Sequence, residues 1–219
     1  MIEQNLKRVK ASIPDDVTLV AVSKTHPIQA IKEAYQCGQR DFGENKVQEL
    51  LEKVNQLPTD IRWHLIGHLQ TNKVKFIVPF VYLIHGVDSF KLLKEINKQA
   101  SKVGRVVSCL LQFHIAKEET KFGFSLEEVE EMLSSTEFRT LANVHICGVM
   151  GMATFTSNEQ TIRQEFKALK MHFEQLKHAY FEQEARFSTL SFGMSNDYQV
   201  AVDEGSNMIR VGSSIFGNR

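Results

Sequence analysis

Val17-Thr-Leu-Val-Ala-Val-Ser-Lys24, set between Asp15-Asp16 and Thr25-His26-Pro27, is a run of β-branched and small apolar residues bracketed by polar turns. Such a run, apolar on both faces, is the signature of a short strand buried on two sides, as in a parallel sheet. It ends on a lysine. An amine at the C-terminal mouth of a buried parallel strand is partly desolvated, which lowers its proton affinity and makes it a nucleophile toward carbonyl carbon. The alternative for Lys24 is a solvated strand cap, the ordinary fate of a lysine.

Working outward, the same unit repeats. Before the strand, Ile2, Leu6, Val9 and Ile13 fall at helical spacing up to Pro14. After it, Ile28, Ile31, Ala34 and Tyr35 give a helix that starts at Pro27 and stops before Gly38. Strands are expected at 41–45, 63–67, 81–87, 105–113, 144–150, 189–193 and 208–211. The helices between them are expected at 47–54, 72–77, 90–102, 126–134, 159–182 and 198–204. Strict alternation demands parallel strands with right-handed crossovers, and eight such strands close most naturally into a (β/α)8 TIM barrel. The helix after the eighth strand is missing or cut to one turn, so the extra N-terminal helix is expected to fill that gap. An open doubly wound sheet is the competing fold. With neither repeats nor a linker, residues 1–219 are read as one domain.

Composition narrows the function. The 219 residues carry 26 basic and 26 acidic side chains and are 42% hydrophobic. Without a basic block, nucleic-acid and membrane-surface binding are not expected. The longest apolar run, 76–84, is broken by Pro79 and too short to span a bilayer, so a cytoplasmic protein is expected. Cys37, Cys109 and Cys147 lack metal or disulfide spacing and read as reduced, mostly buried thiols.

In a barrel the site lies at the C-terminal ends of the strands. Those ends carry Lys24, Asn45, Gly67-His68, Asp88-Ser89, His114, Met150 to Met152, Gly193-Met-Ser195 and Arg210-Val-Gly212-Ser213. Barrels bind phosphate with the loops after strands seven and eight, where Gly193, Ser195, Asn196, Gly212, Ser213 and Ser214 are small or hydroxyl-bearing. Ordinary turn and capping chemistry would use the same residue types. A phosphate site beside a nucleophilic lysine suggests pyridoxal 5′-phosphate, and Arg210 would leave its pyridine nitrogen neutral. Otherwise Arg210 pairs with Asp197, Asp203 or Glu204. His64 and His68 are four apart, but Gly67 argues against the helix that would join them at a metal, and no metal site is expected. Lys121 is a possible second basic group or a solvated loop residue. The stripe Ile162, Phe166, Leu169, Phe173, Leu176 and Tyr180 reads as a core-facing helix and not as part of a cofactor site.

Several stretches are familiar together: Val22-Ser-Lys-Thr25; Phe42-Gly-Glu-Asn45 with Val47-Gln-Glu49; Trp63-His-Leu-Ile-Gly-His-Leu-Gln-Thr-Asn-Lys73; Lys121-Phe-Gly123; Gly193-Met-Ser195 with Asp197; and Ile209-Arg-Val-Gly-Ser-Ser-Ile-Phe-Gly217. In these the chain resembles the pyridoxal phosphate homeostasis proteins, single-domain barrels related to the N-terminal domain of bacterial alanine racemase. The resemblance implies that Lys24 holds the cofactor as a Schiff base, with Asn45 near the ring and Arg210 facing the pyridine nitrogen. It also implies that Ser195, Gly212 and Ser213 hold the phosphate. Phe192 replaces the usual methionine, His114 stands where asparagine is common, and Gly151-Met152 varies the loop after strand six.

The family implies a carrier or buffer of the cofactor that maintains vitamin B6 and amino-acid/keto-acid homeostasis without robust catalysis, with apo-enzymes as recipients. A two-base racemase takes its second acid/base from an additional domain of a partner subunit. The chain ends directly after the barrel, so no such domain and a monomer are expected. A weak amino-acid racemase is the alternative, followed by an aldolase using Lys24 on a sugar phosphate and by an interaction protein with a vestigial pocket.

Overall fold

The structure, a computed structural model, describes residues 1–116 and 122–217. Eight parallel strands form a closed barrel in sequence order: β1 (Thr18–Val22), β2 (Asp41–Glu44), β3 (Arg62–Leu65), β4 (Leu83–Val87), β5 (Val107–Gln112), β6 (Val144–Met150), β7 (Thr189–Ser191) and β8 (Met208–Val211). Closure is made where β8 returns to β1, with Thr18 opposite Met208 and Ala21 opposite Val211. That pairing excludes the open sheet, in which β1 and β8 would not meet.

Around the barrel run α1 (Ile2–Ala11), α2 (Ile28–Gln36), α3 (Val47–Val54), α4 (Val74–Ile77), α5 (Phe90–Lys102), α6 (Leu126–Ser134), α7 (Glu159–Tyr180), α8 (Tyr198–Asp203) and α9 (Ser213–Phe216). Their starts follow local chemistry. The Ser125 hydroxyl accepts from the Glu128 amide while Glu128 reaches back to the Ser125 amide, a reciprocal cap that stabilises α6 by about 1 kcal/mol. Asn158 caps α7 in the same sense through the Thr161 amide. After β8 the helix is a single turn, α9, and α1 packs beside it, its Asn5 amide donating to the Ile215 carbonyl at 3.0 Å. The N-terminal helix therefore covers the gap that the short last helix leaves.

The core has two parts. The larger lies between strands and helices and takes in Phe42, Trp63, Leu92, Phe166 and Phe192. Each such fully buried large side chain stabilises the fold by roughly 1.5–3 kcal/mol. The smaller, Val20, Leu83, Leu110, Met150 and Met208, fills the barrel interior. The buried polar groups include His64, His85, Gln112, Ser191 and Arg210, and several of these bond to one another. In a (β/α)8 barrel branched apolar residues usually fill the interior. This barrel carries a polar line through its interior beside that apolar cluster.

Several elements are shorter than their sequence patterns. β1 stops at Val22, so Ser23 and Lys24 belong to the loop at the mouth. β4 starts at Leu83, because Val81 and Tyr82 serve the turn after α4, where Val81 offers its carbonyl to Arg105. Arg105 reaches back to that turn, and β5 starts only at Val107. Of the cysteines only Cys109 is buried, whereas Cys37 and Cys147 are half-buried, and all three are free. No helix among the described residues is long and apolar enough to cross a membrane.

Candidate functional site

At the C-terminal mouth of the barrel lies a cavity of about 1080 Å³, at the upper end of what small-molecule sites span. Lys24, Asn45, Ser195, Arg210, Gly212 and Ser213 all line it. The cavity thus brings together six residues drawn from the ends of β1, β2, β7 and β8. Lys121 lies outside the described residues.

Lys24 is half-buried, and the backbone on both sides of it is clamped. Ser23 gives its carbonyl to Lys53 Nζ at 2.8 Å, and the Thr25 amide donates to Glu49. Lys53 also bonds Glu44 at 2.8 Å and Glu49 at 2.7 Å, while the Ser23 hydroxyl donates to Glu44 at 2.6 Å. Glu44 alternates with Gly43 along β2, so it points outward under α3, where Lys53 and Glu49 sit one helical turn apart. Burial pushes the Glu44 carboxyl above its ordinary range, and its second oxygen has no partner among the described residues. Burial works on Glu49 in the same direction, but hydrogen bonds from Lys53 and the Thr25 amide outweigh it and hold it low. Thr25 itself adopts φ +64°, a left-handed conformation that is strained for a β-branched residue. The His26 amide closes the turn onto the Ser23 carbonyl at 3.0 Å.

Asn45 is kept at the mouth by the close passage of the next strand end. A Cβ on Gly67 would lie 2.4 Å from the Asn45 carbonyl oxygen, so only glycine allows the two backbones to meet there. On the opposite side, Gly193 turns the chain with φ +97° into the loop of Ser195 and Asp197. The Gly212 amide donates to Ser195 Oγ at 3.1 Å, which ties this loop to the one after β8. Asp197 accepts from the Met194 amide at 2.5 Å, and burial pushes its carboxyl upward. The first amides of α9, at Ser213 and Ser214, have no intrahelical acceptor.

Arg210 is 3% exposed. Its Nη1 donates to the Ser191 carbonyl at 2.8 Å and the Ser191 hydroxyl at 2.6 Å, and its Nη2 donates to the Gly151 carbonyl at 3.0 Å. Burial lowers its proton affinity to about 10 against the pull of Asp197, so it remains a cation at neutral pH. Among the described residues, the barrel-mouth ion pair that its position allowed does not form, since Asp203 and Glu204 pair with Arg163 instead, at 3.1 and 2.9 Å. His64 and His68 do not share a ligand position either. His64 is fully buried against Asp41 and His85, whereas His68 bonds Asp88 at 2.8 Å and stacks on Phe122. Ile162, read from its helical stripe as core, also lines the cavity, and Tyr180 at the stripe's end is exposed.

Sequence reasoning missed Asp41, Glu44, Lys53, His85 and Ser191. The available signal was a polar residue inside an otherwise apolar strand, as in Leu83-Ile-His-Gly-Val87, because a buried polar group requires a partner.

The family model for the alanine racemase N-terminal domain matches residues 1–219. A pyridoxal phosphate homeostasis protein of Aquifex aeolicus is 39% identical over 202 residues, covering 92% of this chain and 86% of the relative. The chain belongs to this family. Another member, from Escherichia coli K12, is 34% identical over 210 residues, covering 94% of this chain and 87% of its own length. Among solved structures, PipY of Synechococcus elongatus without PLP superposes with a TM-score of 0.93 at 35% identity, covering 99% of this chain and all of that one. PipY with PLP bound gives 0.89 at the same identity. The family's barrel extends to larger enzymes: an alanine racemase of Clostridium difficile shares the fold at TM-score 0.81 and 16% identity, and this chain covers 56% of it.

Proposed function

We propose that this chain binds pyridoxal 5′-phosphate at the barrel mouth and serves to hold and release it, contributing to cofactor homeostasis without robust turnover. The observation that carries the reading is that Lys24, Arg210 and the two serine-bearing loops line one cavity. The donor set fits the group. An amine for the aldehyde lies on one flank, a buried guanidinium offers N–H groups to a ring nitrogen, and the hydroxyls of Ser195 and Ser213 with the Ser213 amide, on loops that the Gly212 amide ties together, suit a phosphate. When bound, the cofactor supplies a reactive aldehyde carbon and an electron-withdrawing ring. The protein's own part is to present the Lys24 amine and to keep Arg210 charged beside the ring. Asn45 borders the ring site, on the β2 side of the cavity.

Two-base proton exchange on an amino acid would need a second acid/base group across the ring from Lys24. The titratable groups lining the cavity among the described residues are Lys24, His26, Asp197 and Arg210. Of these His26 stacks on Phe216 and Asp197 accepts the Met194 amide. Holding the cofactor, in keeping with relatives named as pyridoxal phosphate homeostasis proteins, is the function proposed. The single domain is taken to act as a cytoplasmic monomer that passes cofactor to apo-enzymes.

Mixing the protein with pyridoxal phosphate and recording the visible spectrum, then reducing with borohydride and mapping peptides, tests the binding. A reducible band and a pyridoxyl group on the Lys24 peptide, both absent in Lys24→Ala, are expected. Adducts scattered equally over surface lysines in both proteins would end the reading. A Lys24-dependent loss of α-deuterium from an amino acid over time would replace the carrier with the racemase.

A further inference from the structure

A line of hydrogen bonds crosses the barrel interior from its N-terminal end to the cavity. Arg62, at the start of β3, donates through Nε to Asp41 Oδ1 at 2.7 Å and through Nη2 to Asp41 Oδ2. His64 Nε2 meets Asp41 Oδ1 at 3.0 Å, and His64 Nδ1 meets His85 Nε2 at 2.9 Å. His85 Nδ1 meets the Ser191 hydroxyl at 3.1 Å, and that hydroxyl meets Arg210 Nη1 at 2.6 Å. His64, His85 and Ser191 are fully buried.

The two ends dictate the direction of every proton between them. Asp41 is ionised and can only accept, so His64 carries its proton on Nε2 and leaves Nδ1 bare. His85 must then donate from Nε2, which leaves its own Nδ1 to accept the Ser191 hydroxyl proton. The oxygen of Ser191 is left to accept from Arg210, a group that only donates. The opposite arrangement fails at Ser191. If His64 were an imidazolium, His85 would donate toward Ser191 as Arg210 does, and the buried hydroxyl proton would have neither of its neighbours as acceptor. The charged groups around the pair are Asp41, Arg62 and Arg210, and the Tyr82 ring packs on His64 at 5.4 Å. Burial lowers the proton affinity of both rings, in keeping with two neutral imidazoles.

We propose that Asp41, His64, His85 and Ser191 are positioning residues, a one-way hydrogen-bond chain that holds the Arg210 guanidinium in one orientation at the cavity. Three of the five guanidinium N–H groups are engaged with Ser191 and Gly151 among the described residues. The others are left for an acceptor. Held there, Arg210, which only donates, suits a facing atom that carries a lone pair and no proton, an unprotonated pyridine nitrogen in place of a pyridinium. This last step rests on the cofactor reading; the proton arrangement does not.

Nitrogen-15 NMR of histidine-labelled protein, recorded without cofactor at neutral pH, reads the tautomers directly. Both buried rings are expected to be neutral with the proton on Nε2, and a cationic ring or an Nδ1 proton on either overturns the chain. Asp41→Asn, far along the chain from the cavity, is expected to mix the tautomers of His64 and His85. Pyridoxal phosphate titrations followed by the visible band test the positioning. His85→Leu is expected to weaken binding about tenfold, and His85→Asn, which keeps an acceptor for Ser191, to recover most of it. Wild-type affinity and band position in both His85→Leu and Asp41→Asn would refute a positioning role. Should His85→Leu not fold, Asp41→Asn and the wild-type tautomers still decide. A wild-type protein that shows no band would sink the cofactor reading and leave the tautomer result to stand or fall alone.

Discussion

Lys24 and Arg210 reach one cavity from adjacent strands, β1 and β8, yet the supports beneath them are built on opposite plans. Under Lys24 three charged side chains, Glu44, Lys53 and Glu49, crowd between the barrel wall and α3 and grip the main chain before and after the lysine. Under Arg210 the opposing charge of Asp41 is displaced to the other end of the barrel and is connected through neutral rings and a hydroxyl. The compact cluster holds a stretch of backbone. The extended chain holds a side chain. A nucleophile that must form and break bonds benefits from the first, and a fixed electrostatic partner from the second.

The contrast can be broken most forcefully at Lys53. Replacing it with methionine strands Glu44 and Glu49 side by side, Glu44 fully buried, and is expected to cost roughly 3–5 kcal/mol in urea unfolding. Adding Glu44→Gln should recover part of that loss, and no recovery would mean that Lys53 acts only through packing. At the far end of the other support the expected effect is smaller. Burial alone would raise the Asp41 carboxyl, but hydrogen bonds from Arg62 and His64 outweigh it and hold it at about 2, below its ordinary 3.8. A lowered carboxylate stabilises the fold fully above 3.8 and progressively less as pH falls toward 2. Asp41→Asn should therefore cost about 2 kcal/mol at neutral pH, and the gap from wild type should close below the folded value. A pH-independent gap would show that the charge is not what matters.

Smaller again is Ser195→Ala, which removes the acceptor of the Gly212 amide and should cost about 1 kcal/mol while weakening phosphate-bearing ligands more than pyridoxal. Lys24→Ala should cost less stability than Lys53→Met, because the bonds of the cluster run to the backbone around residue 24 and survive the truncation. A large loss there would erase the distinction between the two supports.

The barrel and the cavity-lining positions were legible for the same reason. Two-sided burial writes strands such as Leu19-Val-Ala-Val22 and Cys109-Leu110-Leu111 as apolar runs, and parallel topology then sends the end of every run to one face. Element ends were less legible, because they are set by partners distant in sequence. Arg105 is spent on the carbonyls of Val78 and Val81, which no pattern around residue 105 announces. The supports were hidden for a related reason. Asp41, His64, His85 and Ser191 come from four strands and meet only once barrel register places them on the inner face, and the spacing of His64 and His68 drew attention to a pair that does not form. Glu44 and Lys53 look like ordinary surface charges until β2 and α3 are packed together.

The seam between β1 and β8 has a bearing on when the cavity comes into being. Its two walls are the first and last strands of the barrel, and Lys24 and Arg210 stand on opposite sides of the join. During synthesis the amine emerges early and waits for nearly the whole chain before the guanidinium arrives, a closure of very high sequence separation. A ligand that touches both sides acts as a rivet across that join, so occupancy should be felt as resistance to opening of the barrel along β1 and β8 before it is felt anywhere else.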